Sequence, residues 1–296
     1  MNLLDIVEQI GNVDPEFQDR VNPRRAAIKN ITSFGSKVAV AALPFALGTL
    51  LKKAYADTAP STVIDVLNFA LTLEYLESKF YDTGVKTSGL VPAADLNYIQ
   101  SIRNDEDLHV TFLQGAITSL GGSPVSNTAF TFDFTAGGTA AGPTNNGPFK
   151  TVFSDYQIFL AVAETFEDTG VRAYKGQAPN LLGNAVLTYA LDIHAVEARH
   201  ASAVRYLRTS KYGASVMPWI TSTTTNSNDT GLSLVDGNYA GATPENTTVQ
   251  GGVDITTLPS ATGSSTSVAT ATAAFDEPLT KDEILALLIP AFIQSA

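Results

Sequence analysis

NDEDLHVTFL at residues 104–113 and VEARHASAVR at 196–205 decide how this chain is read. Each holds a glutamate followed three residues later by a histidine: Glu106 with His109, and Glu197 with His200. Upstream of each stands a second matched pair. Glu74 is followed seven residues later by Tyr81, and Glu167 seven residues later by Tyr174. The Glu-x-x-His pairs are offset by 91 positions and the Glu…Tyr pairs by 93, so the chain contains an internal repeat. Two of its three histidines fall at matching places in that repeat.

The spacing has a geometric meaning. On an α-helix, positions i and i+3 lie about 60° apart, and positions i and i+7 about 20°. Each Glu-x-x-His therefore puts a carboxylate and an imidazole on one face, and each Glu…Tyr sets a phenol two turns along one stripe. The neighbours on these stripes are apolar: Leu67, Ala70, Leu71, Leu113, Phe159, Val186 and Ala190. Ionised carboxylates on core-facing stripes are very costly unless compensated, and two divalent cations supply the compensation. The candidate metal ligands are Glu74, Glu106, His109, Glu167, Glu197 and His200. Imidazole ligands favour iron or manganese over magnesium.

The surrounding sequence predicts four long helices. The first starts at Pro60-Ser61-Thr62 and ends near Gly84. The second runs from Pro92 to Gly121-Gly122, the third from Ser154 to Tyr174, closed by Gly176 and Pro179, and the fourth from Asn180 to Arg208. Residues 123–150, rich in Gly, Thr, Asn and Pro, form a long connection between the second and third. The expected fold is all-α: a four-helix bundle with two antiparallel hairpins and a crossover, followed by an irregular extension that ends in a short helix.

Four carboxylates and two imidazoles in this order resemble the ferritin-like di-metal carboxylate superfamily. LNFALTLEYLESKFY (67–81), FEDTGVRAYKG (166–176) and VEARHASAVRYLR (196–208) are similar to the ferritin-like domain family that includes plant desiccation-related proteins. The resemblance covers roughly residues 60–210. It implies a centre of two iron or manganese ions and redox chemistry on O₂ or H₂O₂, of ferroxidase, oxidase or catalase-like kind. A tyrosine often hydrogen-bonds a ligand Glu in that superfamily. This favours Glu74 over its neighbour Glu77, and Glu167 over Glu164. Both rivals stay open as extra or switching ligands, as in rubrerythrin-like members. Tyr81 and Tyr174 are the candidate catalytic residues; the plainer alternative makes them core aromatics with a satisfied hydroxyl. Asp105 is placed to orient a histidine, a device that the second half lacks because Val196 stands there. His194 reads as a packed residue, and Asp168 and Arg199 as inter-helix charge partners. A competing reading is a non-enzymatic stress- or desiccation-associated structural protein whose metals fix the fold. A third is a metal-free helical assembly protein.

Composition narrows the partners. The chain has 296 residues and a formal charge of −11. Residues 1–56 carry seven Lys/Arg against five Asp/Glu, and the remainder eleven against twenty-four. So acidic a body excludes nucleic acid as a leading partner, while a homo-oligomer is compatible with it. The absence of cysteine excludes disulfides, thiolate metal sites and Cys nucleophiles.

At the N-terminus, Arg24-Arg25-Ala26-Ala27-Ile28-Lys29 precedes an apolar run at 38–51 and an A-x-A pattern ending at Ala56. This order reads as an export signal and resembles a twin-arginine signal. The run is short for a bilayer and is interrupted by Pro44, so no membrane span is expected in the mature chain. The expected location is periplasmic or extracellular. The expected division is 1–56 export signal or helical segment, 57–210 bundle, and 211–296 a Thr/Ser/Gly-rich extension. Val216-Met217-Pro218 and Trp219 are expected to anchor the extension. Thr280-Lys281-Asp282-Glu283 reads as a capping box opening an apolar helix broken by Pro290, which by default docks on the bundle.

Overall fold

The computed structural model describes residues 61–221, 230, 232–260 and 263–296. The expected export signal at 1–56 lies outside the described residues, as does the run at 222–229.

Four long helices dominate: α1 (Ser61–Lys86), α2 (Leu96–Ser119), α3 (Tyr156–Gln177) and α4 (Val186–Tyr212). Their ends differ from the sequence-based bounds for local reasons. Gly84 does not stop α1. It is a point of close approach, where a Cβ would collide with the Phe159 ring of α3, and the helix runs on to Lys86. Pro92 sits in a turn ahead of α2. α3 starts one residue after Asp155, whose carboxylate accepts from the Gln157 and Ile158 amides, and it passes through Gly176. The stretch Ala178–Leu181 is a separate 3₁₀ turn, which delays the start of α4. α4 ends at Gly213, with φ of 69°, a left-handed cap that favours glycine.

Side-chain pairs give the helix directions. Across α1 and α2, Tyr75 meets Gln114 and Ser78 meets Asp107. Across α3 and α4, Glu164 meets Arg208 and Asp168 meets Arg205. Across α1 and α3, Glu74 meets Tyr174 and Tyr81 meets Glu167. Residue numbers rise on one helix as they fall on the other in every case, so all three pairs are antiparallel. It follows that α2 and α3 are parallel, and the chain between them must travel back along the bundle.

That crossover is ordered by its own bonds. Its strand β1 (Phe130–Phe132) pairs antiparallel with β4 (Ile293–Ser295) at the C-terminal end, Thr131 opposite Gln294. The buried Asp133 carboxylate accepts from the amides of Thr135 (3.0 Å), Thr144 and Asn145 (both 2.8 Å).

The extension shares the bundle's core. Ile220, Val235, Tyr239, Leu279, Ile284 and Leu288 join a cluster with Phe80, Phe159 and Phe166. The Phe80 and Phe159 rings stack at 4.7 Å. The extension also holds the short pair β2 (Val249–Gln250) and β3 (Val253–Asp254), the helix α5 (Val268–Thr272) and the helix α6 (Lys281–Leu288). α6 opens with the expected capping box between Thr280 and Glu283 and buries Ile284 and Leu288. The start of the extension is anchored by Val216 and Ile220, which are buried, whereas Met217 and Trp219 are exposed. No described helix is long and apolar enough to cross a membrane.

Candidate metal centre

The inward stripes of the four helices meet halfway along the bundle. Glu74 comes from α1, Glu106 and His109 from α2, Glu167 from α3, and Glu197 and His200 from α4. The four carboxylates are completely buried and the two histidines nearly so. The imidazole rings stand 6.3 Å apart.

His109 Nδ1 lies 3.2 Å from Glu74 Oε2, 3.1 Å from Glu106 Oε2 and 3.2 Å from Glu197 Oε1. His200 Nδ1 lies 2.8 Å from Glu106 Oε1 and 3.3 Å from Glu167 Oε2. Two groups of donor atoms result, each within 4.8 Å: Glu74, Glu106, His109 and Glu197, and Glu106, Glu167, Glu197 and His200. Glu106 and Glu197 belong to both. The structure thus brings together all six side chains singled out in the sequence.

The donor set suits a metal on a direct observation. Glu106 Oε1, Glu167 Oε2, both Glu197 oxygens and His200 Nδ1 are buried without a hydrogen-bond partner. Buried polar atoms are normally paired, and each orphan costs about 1–3 kcal/mol. The 2.8 Å approach of His200 Nδ1 to Glu106 Oε1 is a close contact that makes no hydrogen bond. Atoms crowded together yet unbonded to one another are arranged for a shared cation.

Electrostatics point the same way. Burial, then repulsion from Glu197, Glu106, Glu74 and Glu167, pushes the Glu77 carboxyl well up. Burial and the Glu106 and Glu74 charges do the same to Glu197, against the pull of His109. Glu106 is pushed up to about 7, by burial first, with the adjacent imidazoles of His109 and His200 opposing. Burial alone would lower the imidazoles. For His200 the carboxylates of Glu167 and Glu106 outweigh it and push the ring up to about 12. His109 is raised likewise by its contacts with Glu106, Glu197 and Glu74. Without a cation, the centre balances its charge with protons.

The tyrosines are crossed between the halves of the repeat. Tyr81 of α1 donates to Glu167 Oε1 on α3, and Tyr174 of α3 donates to Glu74 Oε1 on α1. Asp105 Oδ2 lies 3.1 Å from His200 Nε2, which fixes the ring with Nδ1 facing the carboxylates. The rival glutamates separate. Glu77 is buried beside the cluster. Glu164 instead accepts from Arg208 at 2.6 Å and pairs with Arg205 at 3.3 Å. His194 bonds its Nδ1 to the Val171 carbonyl and packs there. Asp168 is an inter-helix charge partner, but of Arg205 at 2.6 Å; Arg199 is exposed.

The sequence reading missed a buried arginine layer. Arg172 lies 2.9 Å from Glu245 and donates to the carbonyls of Glu277, Asn238, Ala240 and Thr243, tying the extension to α3. The available signal was the spacing of Glu164 and Asp168 on one helix against Arg205 and Arg208 on the next.

A four-helix bundle with a long crossover and two overlapping Glu/His groups in its interior defines the class: a bundle whose core is built to take metal. The sequence matches the family model described as a ferritin-like domain over residues 62–210, half of the chain, and it belongs to that family. No curated protein matches the sequence.

Proposed function

We propose that the chain is an exported di-metal oxidoreductase that holds two iron or manganese ions and turns over O₂ or H₂O₂. The observation that carries this reading is the sharing of Glu106 and Glu197 between the two donor groups. Glu74 with His109 would hold one ion and Glu167 with His200 the other, with Glu106 and Glu197 available to both. Two such ions bound there would supply redox chemistry towards O₂ or H₂O₂.

The chain's own residues do the rest. Tyr81 and Tyr174 hold protons against Glu167 Oε1 and Glu74 Oε1, which fixes those carboxylates and places two phenols beside the centre. Asp105 orients His200. The apolar stripes exclude bulk water. With Glu77, five buried carboxylates face the centre. Their combined charge of about −5, counted at full ionisation, lies between that of two divalent and two trivalent ions, so neither oxidation state leaves a large uncompensated charge.

Metal per chain, measured by elemental analysis, and consumption of O₂ and H₂O₂ after loading with iron or with manganese test the reading. Glu106→Ala with Glu197→Ala should abolish both binding and turnover. If loaded wild-type protein consumes neither oxidant, the enzymatic reading fails. The complete burial of the four carboxylates would then favour a structural role for the metals. Export rests on residues 1–56. Fusing them to a folded reporter should move it out of the cytoplasm, and Arg24→Lys with Arg25→Lys should block that movement.

A further inference from the structure

One turn or more beyond the metal centre, towards the end of the bundle where α1 begins, the four inward stripes leave a narrow chamber of about 20 Å³. Ala70, Leu113, Tyr174, Ala190 and Ile193 are among its walls, and Leu181 of the turn after α3 lines it as well. Alanines at inward positions create the space: Ala70 and Ala190 are buried and too short to fill the gap between the helices. No polar atom faces the chamber. A water needs about 10–15 Å³ and two to four polar partners, so this space is large enough for water but offers it no bonds, which favours an apolar occupant. It is too small for an acyl chain or an aromatic ring.

The chamber adjoins the site. Tyr174 presents its ring to the chamber and donates its hydroxyl to Glu74 Oε1. Leu113 lies one helical turn from His109, and Ala190 two turns from Glu197, on the same stripes.

We infer that this chamber is a binding site for dioxygen, which it holds beside the metal centre. Dioxygen is apolar, diatomic and without hydrogen bonds to lose on entry. Hydrogen peroxide would forfeit its hydrogen bonds to water and find none in return. The inference rests on the di-metal reading and narrows its substrate to O₂.

Dioxygen is paramagnetic, so its residence can be read directly, without turnover. In the metal-free full-length chain with labelled methyl groups, dissolved O₂ should speed the relaxation of the Ala70, Ala190 and Leu113 methyls several-fold more than that of Ala163 and Val204. Those two lie outside the chamber and are fully buried, as Leu113 is, so Leu113 against them is the like-for-like comparison. Ala190→Val should remove the enhancement at Ala70 and Leu113, and Ala70→Val, on the opposite helix, should remove it at Ala190 and Leu113. Equal relaxation at all buried methyls in the wild-type protein overturns the site, whatever the variants do. In loaded protein, Ala190→Val should slow O₂ consumption several-fold and leave any H₂O₂ consumption unchanged; an equal fall in both overturns the assignment of substrate. If loaded wild-type protein consumes neither, the di-metal oxidoreductase reading fails on its own, while the relaxation measurement still decides whether O₂ binds.

Discussion

Gly170 and Glu77 occupy the same position in the two halves of the repeat, and the side chain that one lacks leaves room for the carboxylate of the other. A Cβ at residue 170 would stand 3.4 Å from Glu77 Oε1 and 2.7 Å from Glu197 Oε2. The centre is therefore asymmetric: the Glu74 half carries a further acid and the Glu167 half a gap. In a helix interior glycine costs about 1 kcal/mol relative to alanine, so Gly170→Ala should leave the helix content intact. The added carbon should nonetheless displace Glu197 and reduce the metal bound per chain. Full loading of the variant, by elemental analysis, would show that the gap is not needed.

Glu77→Gln removes one of five crowded carboxylates while keeping its shape. Metal-free protein should become more stable towards urea, because repulsion among Glu77, Glu74, Glu106, Glu167 and Glu197 is relieved. Metal should be held less tightly. A variant that is less stable without metal and unchanged in affinity would place Glu77 outside the centre.

Most of this site was legible because a buried charge at helical spacing has few explanations. The six Glu and His side chains follow from two spacings, three and seven residues, repeated at offsets of 91 and 93, and the crossover from the Gly-, Thr-, Asn- and Pro-rich segment 123–150. Even the asymmetry is visible once Glu77 is carried forward 93 positions to Gly170. What the sequence hid depends on contacts between distant segments. Gly84 reads as a helix stop until Phe159 is placed against it. Nothing in the local sequence singles out Arg172, which is buried because residues 238–245 and 277 close over it. Trp219 reads as an anchor because it is large and apolar, but Val216 and Ile220 face the bundle instead.

Arg172 is completely buried, with its guanidinium shared between Glu245 and several carbonyls of the extension. Arg172→Met leaves Glu245 buried without its partner, which should cost about 3–5 kcal/mol. Amide exchange should rise across 238–245 and 277–279, because those backbones lose their common donor. Metal content should not change, since the hydrogen bonds and ion pair of the Arg172 side chain run to the extension and not to the six site residues. A loss of metal in step with the exchange would mean that the extension holds the centre together.

Tyr81→Phe and Tyr174→Phe each delete one hydroxyl and keep the ring. The carboxylate that loses its donor, Glu167 or Glu74, becomes an under-bonded buried acceptor, at a cost of about 1–3 kcal/mol. The crossed arrangement predicts similar losses for the two variants in urea unfolding. Both should still bind metal, and altered turnover in both would assign the phenols to the redox chemistry. Unchanged turnover would leave them as donors that hold the carboxylates in place.

The pH dependence of stability should have opposite character with and without metal. Glu106, pushed up to about 7 in the folded protein, keeps a proton that the unfolded chain gives up at its ordinary value of 4.5. That contribution is complete below 4.5 and is lost as pH rises through about 7. Glu77 and Glu197, also raised, act in the same direction. His200, pushed up to about 12, contributes fully below 6.5 and loses that contribution only as pH rises towards 12. Metal-free protein should therefore melt at progressively lower temperature as pH climbs from about 5 to about 8. Metal binding needs the same groups deprotonated and strengthens as pH rises, so the gap in Tm between loaded and metal-free protein should widen over this range. Glu245, raised to about 8 by burial against the opposing charge of Arg172, weakens both forms alike and drops out of the difference. Parallel melting curves across the range would mean that the added metal binds somewhere other than these carboxylates and imidazoles.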